Sequence, residues 1–146
     1  MCFLLYAATS APIPRRAWVK ENPVISVVDL AESKTAIRAH FSLPEVQYIG
    51  SDTSCGCGFP NAMYQNGGWP EIEWSERDAE TLESDRRNLG LLGALLKSLD
   101  EPCIELYGVW AGDEAEAPVS RESLSINDIL KDSFIFKERG FYSVRF

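Results

Sequence analysis

The sequence predicts an α+β domain: a mixed or antiparallel sheet of about six strands with one long helix packed on a face. Three observations point there. Apolar and β-branched runs recur along the chain without alternating strictly with helices, which disfavours a doubly wound parallel sheet. One stretch, residues 75–99, holds a helical period over its whole length. The chain has 146 residues, 45% hydrophobic and 25% charged. That length suits one domain, 1–146, able to bury a core without disulfide staples.

The elements follow in order. Cys2 to Ala8 is apolar on both faces, as a central strand is. Alternation sets Cys2, Leu4 and Tyr6 on one face and Phe3, Leu5 and Ala7 on the other. Pro12 and Pro14 end the strand, and a polar connector follows, with Trp18 as its anchor. Val24 to Leu30 is β-branched and reads as the second strand. Glu32 to Phe41 reads as a short helix carrying His40, closed by Pro44. Val46 to Gly50 is the third strand.

Ser51 to Trp74 has no regular period and is broken by Gly56, Gly58, Pro60, Gly67, Gly68 and Pro70. Loops this long inside a small domain are more often functional or mobile than mere connection. Ser75-Glu-Arg-Asp78 reads as a capping box opening the long helix, with Ala79, Leu82, Leu89, Leu92, Leu96 and Leu99 as its buried stripe. Gly90 and Gly93 either allow close approach to the sheet or break the helix. Cys103 to Ala111 is the fourth strand, and Gly112 to Pro118 an acidic loop. Ser125-Ile-Asn-Asp128 reads as a second capping box on a short helix. Phe134–Lys137 and Phe141–Phe146 flank Glu138-Arg-Gly140, which reads as a hairpin.

Composition excludes several partners. The formal net charge is −8, with 14 basic residues dispersed among 22 acidic ones. Phosphate backbones and anionic lipid surfaces both require clustered Lys and Arg, so neither nucleic acid nor a membrane is an expected partner. Met1 to Ala8 lacks a basic flank and is read as a strand, not a signal peptide. The expected compartment is the cytoplasm, where four cysteines stay reduced.

The chemistry-bearing residues gather in Ser51-Asp-Thr-Ser-Cys-Gly-Cys-Gly-Phe-Pro60. Cys55 and Cys57 are one residue apart and can face a common point as thiolates, the form that attacks disulfides and binds soft metals. The familiar redox and zinc spacing is Cys-x-x-Cys, which the chain lacks. Cys2, Cys55, Cys57 and Cys103 supply four sulfurs and His40 one nitrogen, but no spacing demands that they converge, so no metal or cofactor is assigned. His40 is the single histidine and therefore the candidate base for a nucleophilic Cys55 or Cys57. The Gly-rich run contains no Lys and matches no phosphate-binding fingerprint.

Two functional expectations result. The first is a non-catalytic module that binds an unidentified small molecule or protein through loop 51–74, with Ser51, Asp52, Phe59, Tyr64 and Trp69 as contact residues. Rigid aromatic faces among amides and glycines suit that role. The second is a thiol-dependent protein, redox, nucleophilic or metal-binding, with Cys55, Cys57 and His40 as its working residues.

Overall fold

The computed structural model describes residues 2–62 and 78–146. In chain order the elements are β1 (Phe3–Thr9), β2 (Ser26–Asp29), a 310 helix (Glu32–His40), β3 (Glu45–Gly50), a 310 turn (Gly56–Gly58), β4 (Asn61–Ala62), α1 (Ala79–Ser98), β5 (Cys103–Trp110), β6 (Ser120–Ser125), α2 (Ile126–Ile129), β7 (Phe136–Lys137) and β8 (Gly140–Arg145). Six strands form one sheet in the order β2-β3-β1-β5-β8-β6. All pairings in it are antiparallel except β6 with β8, so the sheet is mixed. The α+β architecture is the one the sequence predicts.

β1 sits in the middle because both of its faces are apolar. Phe3, Leu5 and Ala7 join one core with Leu89, Leu92 and Leu96 of α1 and Ile126 and Ile129 of α2. Tyr6 and Ala8 join a second core with Ile37 of the 310 helix, Tyr107 and Phe141. The alternation read from the sequence is thus the division between the two layers.

α1 begins at Ala79, with Asp78 as its N-cap: the Asp78 carboxylate accepts from the Thr81 amide at 2.7 Å. Ser75, the expected partner in a capping box, lies outside the described residues. The helix runs unbroken through Gly90 and Gly93. Gly93 lets α2 come close, since a Cβ there would lie 2.6 Å from a Leu130 methyl. Ser125 and Asp128 do form a reciprocal capping box on α2.

The expected hairpin of Phe134–Lys137 with Phe141–Phe146 does not form. β7 instead pairs in parallel with β4 in a separate two-stranded sheet, with Asn61 opposite Phe136. Arg139, not Gly140, takes the positive φ, at 53°. β8 is claimed on one side by β5 and on the other by β6. β6, a polar Ser-Arg-Glu-Ser-Leu-Ser run with no apolar alternation, was not expected as a strand.

Register positions the site. Leu5 lies opposite Ile49 of β3, so the start of β1 and the end of β3 share one edge of the sheet. Phe3 lies opposite Trp110, which brings the end of β5 to the same edge. The chain leaves β3 there and enters Ser51–Pro60.

Candidate functional site: a three-thiol cluster

Three sulfurs meet at that edge. The Sγ atoms of Cys2, Cys55 and Cys57 all lie within 4.8 Å of one another. Cys2 immediately precedes β1, where its carbonyl accepts from the Ala111 amide at 2.9 Å. Cys55 and Cys57 come from the loop after β3. Two chain segments more than fifty residues apart therefore supply one cluster. All three thiols are free; Cys2 and Cys57 are exposed and Cys55 is partly buried.

The loop is shaped by its small residues. Ser51 is buried, and its hydroxyl donates to the Cys55 carbonyl at 2.5 Å, closing a tight turn. The Ser51 amide donates to the same carbonyl at 3.0 Å. Ser54 completes the turn with a φ of 69°, a conformation that L residues seldom adopt. Cys55 then caps the 310 turn, its sulfur accepting from the Cys57 amide at 3.3 Å. The Cys57 sulfur in turn accepts from the Phe3 amide at 3.2 Å. These two bonds set the spacing of the sulfurs.

Gly56 is required between them. A Cβ at that position would stand 2.6 Å from the Phe3 carbonyl oxygen and 3.1 Å from the Leu5 amide nitrogen. Only a glycine lets the turn lie against the β1 backbone. At Gly58 a Cβ would run into the Ser51 side chain. The Cys-Gly-Cys-Gly run is a packing device as well as a pair of thiols.

Asp52 fastens the loop to the helix. Its carboxylate is buried, pairs with the Arg87 guanidinium and accepts from Asn88 Nδ2 at 3.0 Å. Its amide donates to Asn88 Oδ1 at 3.0 Å, and its carbonyl accepts from the Trp18 indole at 2.8 Å. Phe59 is 1% exposed, with its ring 6.1 Å from that of Phe136 in the core. Ser51, Asp52 and Phe59 therefore meet internal partners. Tyr64 and Trp69 lie outside the described residues.

His40 is not among the clustered groups. Its Nε2 lies 3.0 Å from the Glu114 carbonyl, and its ring packs edge-on against Tyr107 at 5.2 Å. Cys103 is also elsewhere. It opens β5, seven residues before Trp110, and so lies about 23 Å along the strand from the cysteine edge. The four-sulfur set considered from the sequence resolves into a trio and an outlier.

The cluster is electrostatically uneven. Burial raises the Cys55 thiol, but hydrogen bonds to its sulfur from Cys57, Thr53 and the backbone outweigh this and hold it below the ordinary value. Burial and the neighbouring Cys55 push Cys57 up to about 11, against the opposing effect of the Phe3 amide. Cys55 is therefore the more readily ionised of the two thiols.

Tyr48, near the end of the third strand, lies close to the group. Its hydroxyl donates to the Ser54 carbonyl at 3.4 Å. Burial, and the charges of Cys55, Cys57 and Cys2, push it up to about 12, with the Gly56 backbone acting in the opposite sense. It remains a neutral phenol beside the sulfurs.

Among the described residues, no helix is long and apolar enough to cross a membrane. Comparisons with protein-family models, with curated proteins and with solved structures found no match.

Proposed function

We propose that the protein is a thiol-dependent protein whose Cys2, Cys55 and Cys57 bind a soft metal ion of the zinc class. The observation that carries this reading is the mutual approach of three sulfurs within 4.8 Å, two of them from a rigidly braced loop and one from the start of a central strand. A redox pair needs two thiols; the third gives the arrangement its resemblance to a ligand set.

The dimensions fit. Zinc–sulfur bonds of about 2.3 Å in a tetrahedral array hold sulfurs roughly 3.8 Å apart. Closing the cluster onto such an ion takes a contraction of at most about 1 Å, within reach of side-chain rotation. Thiolate is the ligating form, so the thiols give up their protons as the metal enters, Cys55 more readily than Cys57. Among the described residues the trio has no fourth protein ligand within the same distance. A tetrahedral ion held by these three sulfurs alone keeps one open position. The reading of loop 51–74 as a recognition surface depends on Tyr64 and Trp69, outside the described residues, and on Phe59, which is in the core.

The test is reconstitution of the fully reduced protein with zinc or cobalt(II) under anaerobic conditions. One equivalent per chain is expected, with sulfur-to-cobalt charge-transfer absorption. Cys2→Ser, Cys55→Ser and Cys57→Ser should each weaken binding by at least about 100-fold, beyond the range for residues that only orient a ligand. Failure to take up stoichiometric metal at any pH between roughly 7 and 9, where thiolates become accessible, would overturn the proposal.

A further inference from the structure

A cleft of about 260 Å³ is lined by Leu4, Tyr6, Val28, Asp29, Lys34 and Tyr48 among others. It runs along the face of β1 that carries Leu4 and Tyr6, and alternation sets Cys2 on that face too. Two lining residues lead toward the cluster. Leu4 is two residues from Cys2, and the Tyr48 hydroxyl reaches the backbone just before Cys55. The Tyr48 ring meets Tyr6 edge-on at 5.7 Å, forming an aromatic floor. Both charged groups of the lining are paired, the Lys34 ammonium with Glu114 and the Asp29 carboxylate with the Arg15 guanidinium. Val28, on the edge strand β2, is 48% exposed, so one wall offers apolar surface to an incoming molecule.

We infer that this cleft receives a small thiol with an apolar body, whose sulfur takes the open fourth position on a metal held by Cys2, Cys55 and Cys57. The inference rests on the proposed metal site and names the ligand that site admits. Two features define the ligand class. The metal end selects a soft donor, since three thiolates already surround the ion. The cleft selects the rest by burial of apolar and aromatic surface, in a volume that suits a fragment smaller than a drug-sized ligand. Binding balances simply: the incoming thiol loses its proton to solvent, a metal–sulfur bond forms, and a metal-bound water leaves. No electron is transferred.

The experiment uses the reduced, cobalt-loaded full chain, titrated anaerobically with benzyl mercaptan and, separately, with 2-mercaptoethanol. Cobalt d–d bands report a change at the metal. Benzyl mercaptan should reach half-saturation at a concentration at least about tenfold lower, as burial of an aromatic ring predicts. Val28→Asp should abolish that preference while leaving cobalt affinity unchanged; Val28→Ser, a milder change at the same exposed position, should reduce it. If cobalt does not bind, the metal site and this inference fall together. If cobalt binds but its bands ignore both thiols, or answer both equally, the metal site stands and the inference is overturned. An unchanged preference in both Val28 variants overturns it as well.

Discussion

Cys55 and Cys57 are separated by one glycine yet are pushed in opposite directions. Cys55 caps a turn and collects hydrogen bonds to its sulfur, which lower it; burial and the neighbouring Cys55 raise Cys57. The consequence for stability follows from linkage. The folded-state value of Cys57, about 11, lies above its ordinary 9.0, so between these the folded protein binds more protons than the unfolded one. Stability contributed by the protonated thiol is complete below about pH 9 and declines as pH rises towards 11. Cys55 is shifted the other way, and its contribution is already complete above 9.0. In metal-free protein the urea midpoint should fall from pH 9 to 11 more steeply for the wild type than for Cys57→Ser. Equal slopes would mean that folding does not raise Cys57. Gly56 belongs to the same scale. In the sequence it reads as a breaker, but the structure gives it a sharper task, leaving room for the carbonyl of Phe3.

The brace between the cysteine loop and α1 works at the scale of elements. Asn88 uses both ends of its amide on Asp52, accepting from the backbone N–H and donating to the carboxylate, each at 3.0 Å. Asn88→Ala leaves buried polar groups of Asp52 without these partners, at a cost of about 1–3 kcal/mol. Because Asn88 holds the loop without touching a sulfur, the same variant should weaken metal binding by about 10–100-fold, as loss of a supporting residue does. Urea titration and cobalt competition on one preparation check both; an unchanged metal affinity would show that the loop holds its shape without the helix. Of these elements, α1 was legible from its period and β1 from its unbroken apolar run. β6 was not, because Ser120–Ser125 has no apolar alternation, and its strand state comes from backbone pairing with β8. The expected hairpin failed for a related reason. Glu138-Arg-Gly140 does turn the chain, but Phe136 is fully buried and paired beside Asn61, and a local signal cannot register a partner seventy-five residues away.

For the whole molecule, sheet order decides which cysteines meet. Antiparallel pairing of β1 with β3 and β5 brings the beginning of one strand to the ends of the two others. The same pairing sends Cys103 to the opposite edge, where it is partly buried and burial raises its thiol. Cys103→Ser should therefore leave the metal stoichiometry and cobalt spectrum unchanged, in contrast with Cys2→Ser. A lost or altered spectrum in Cys103→Ser would contradict this topology.

The amino-acid sequence by itself determined the α+β class, the two-faced central strand, the long helix and the glycine-broken loop that begins at Ser51. These are consequences of local period and composition, which neighbouring residues carry between them. Tertiary structure alone decided that Cys2 completes the cysteine pair, that His40 and Cys103 stand apart from it, and that Tyr48 lies over it. Those facts depend on strand order and register, set by burial and pairing between residues far apart in the chain, and no spacing within the chain records them.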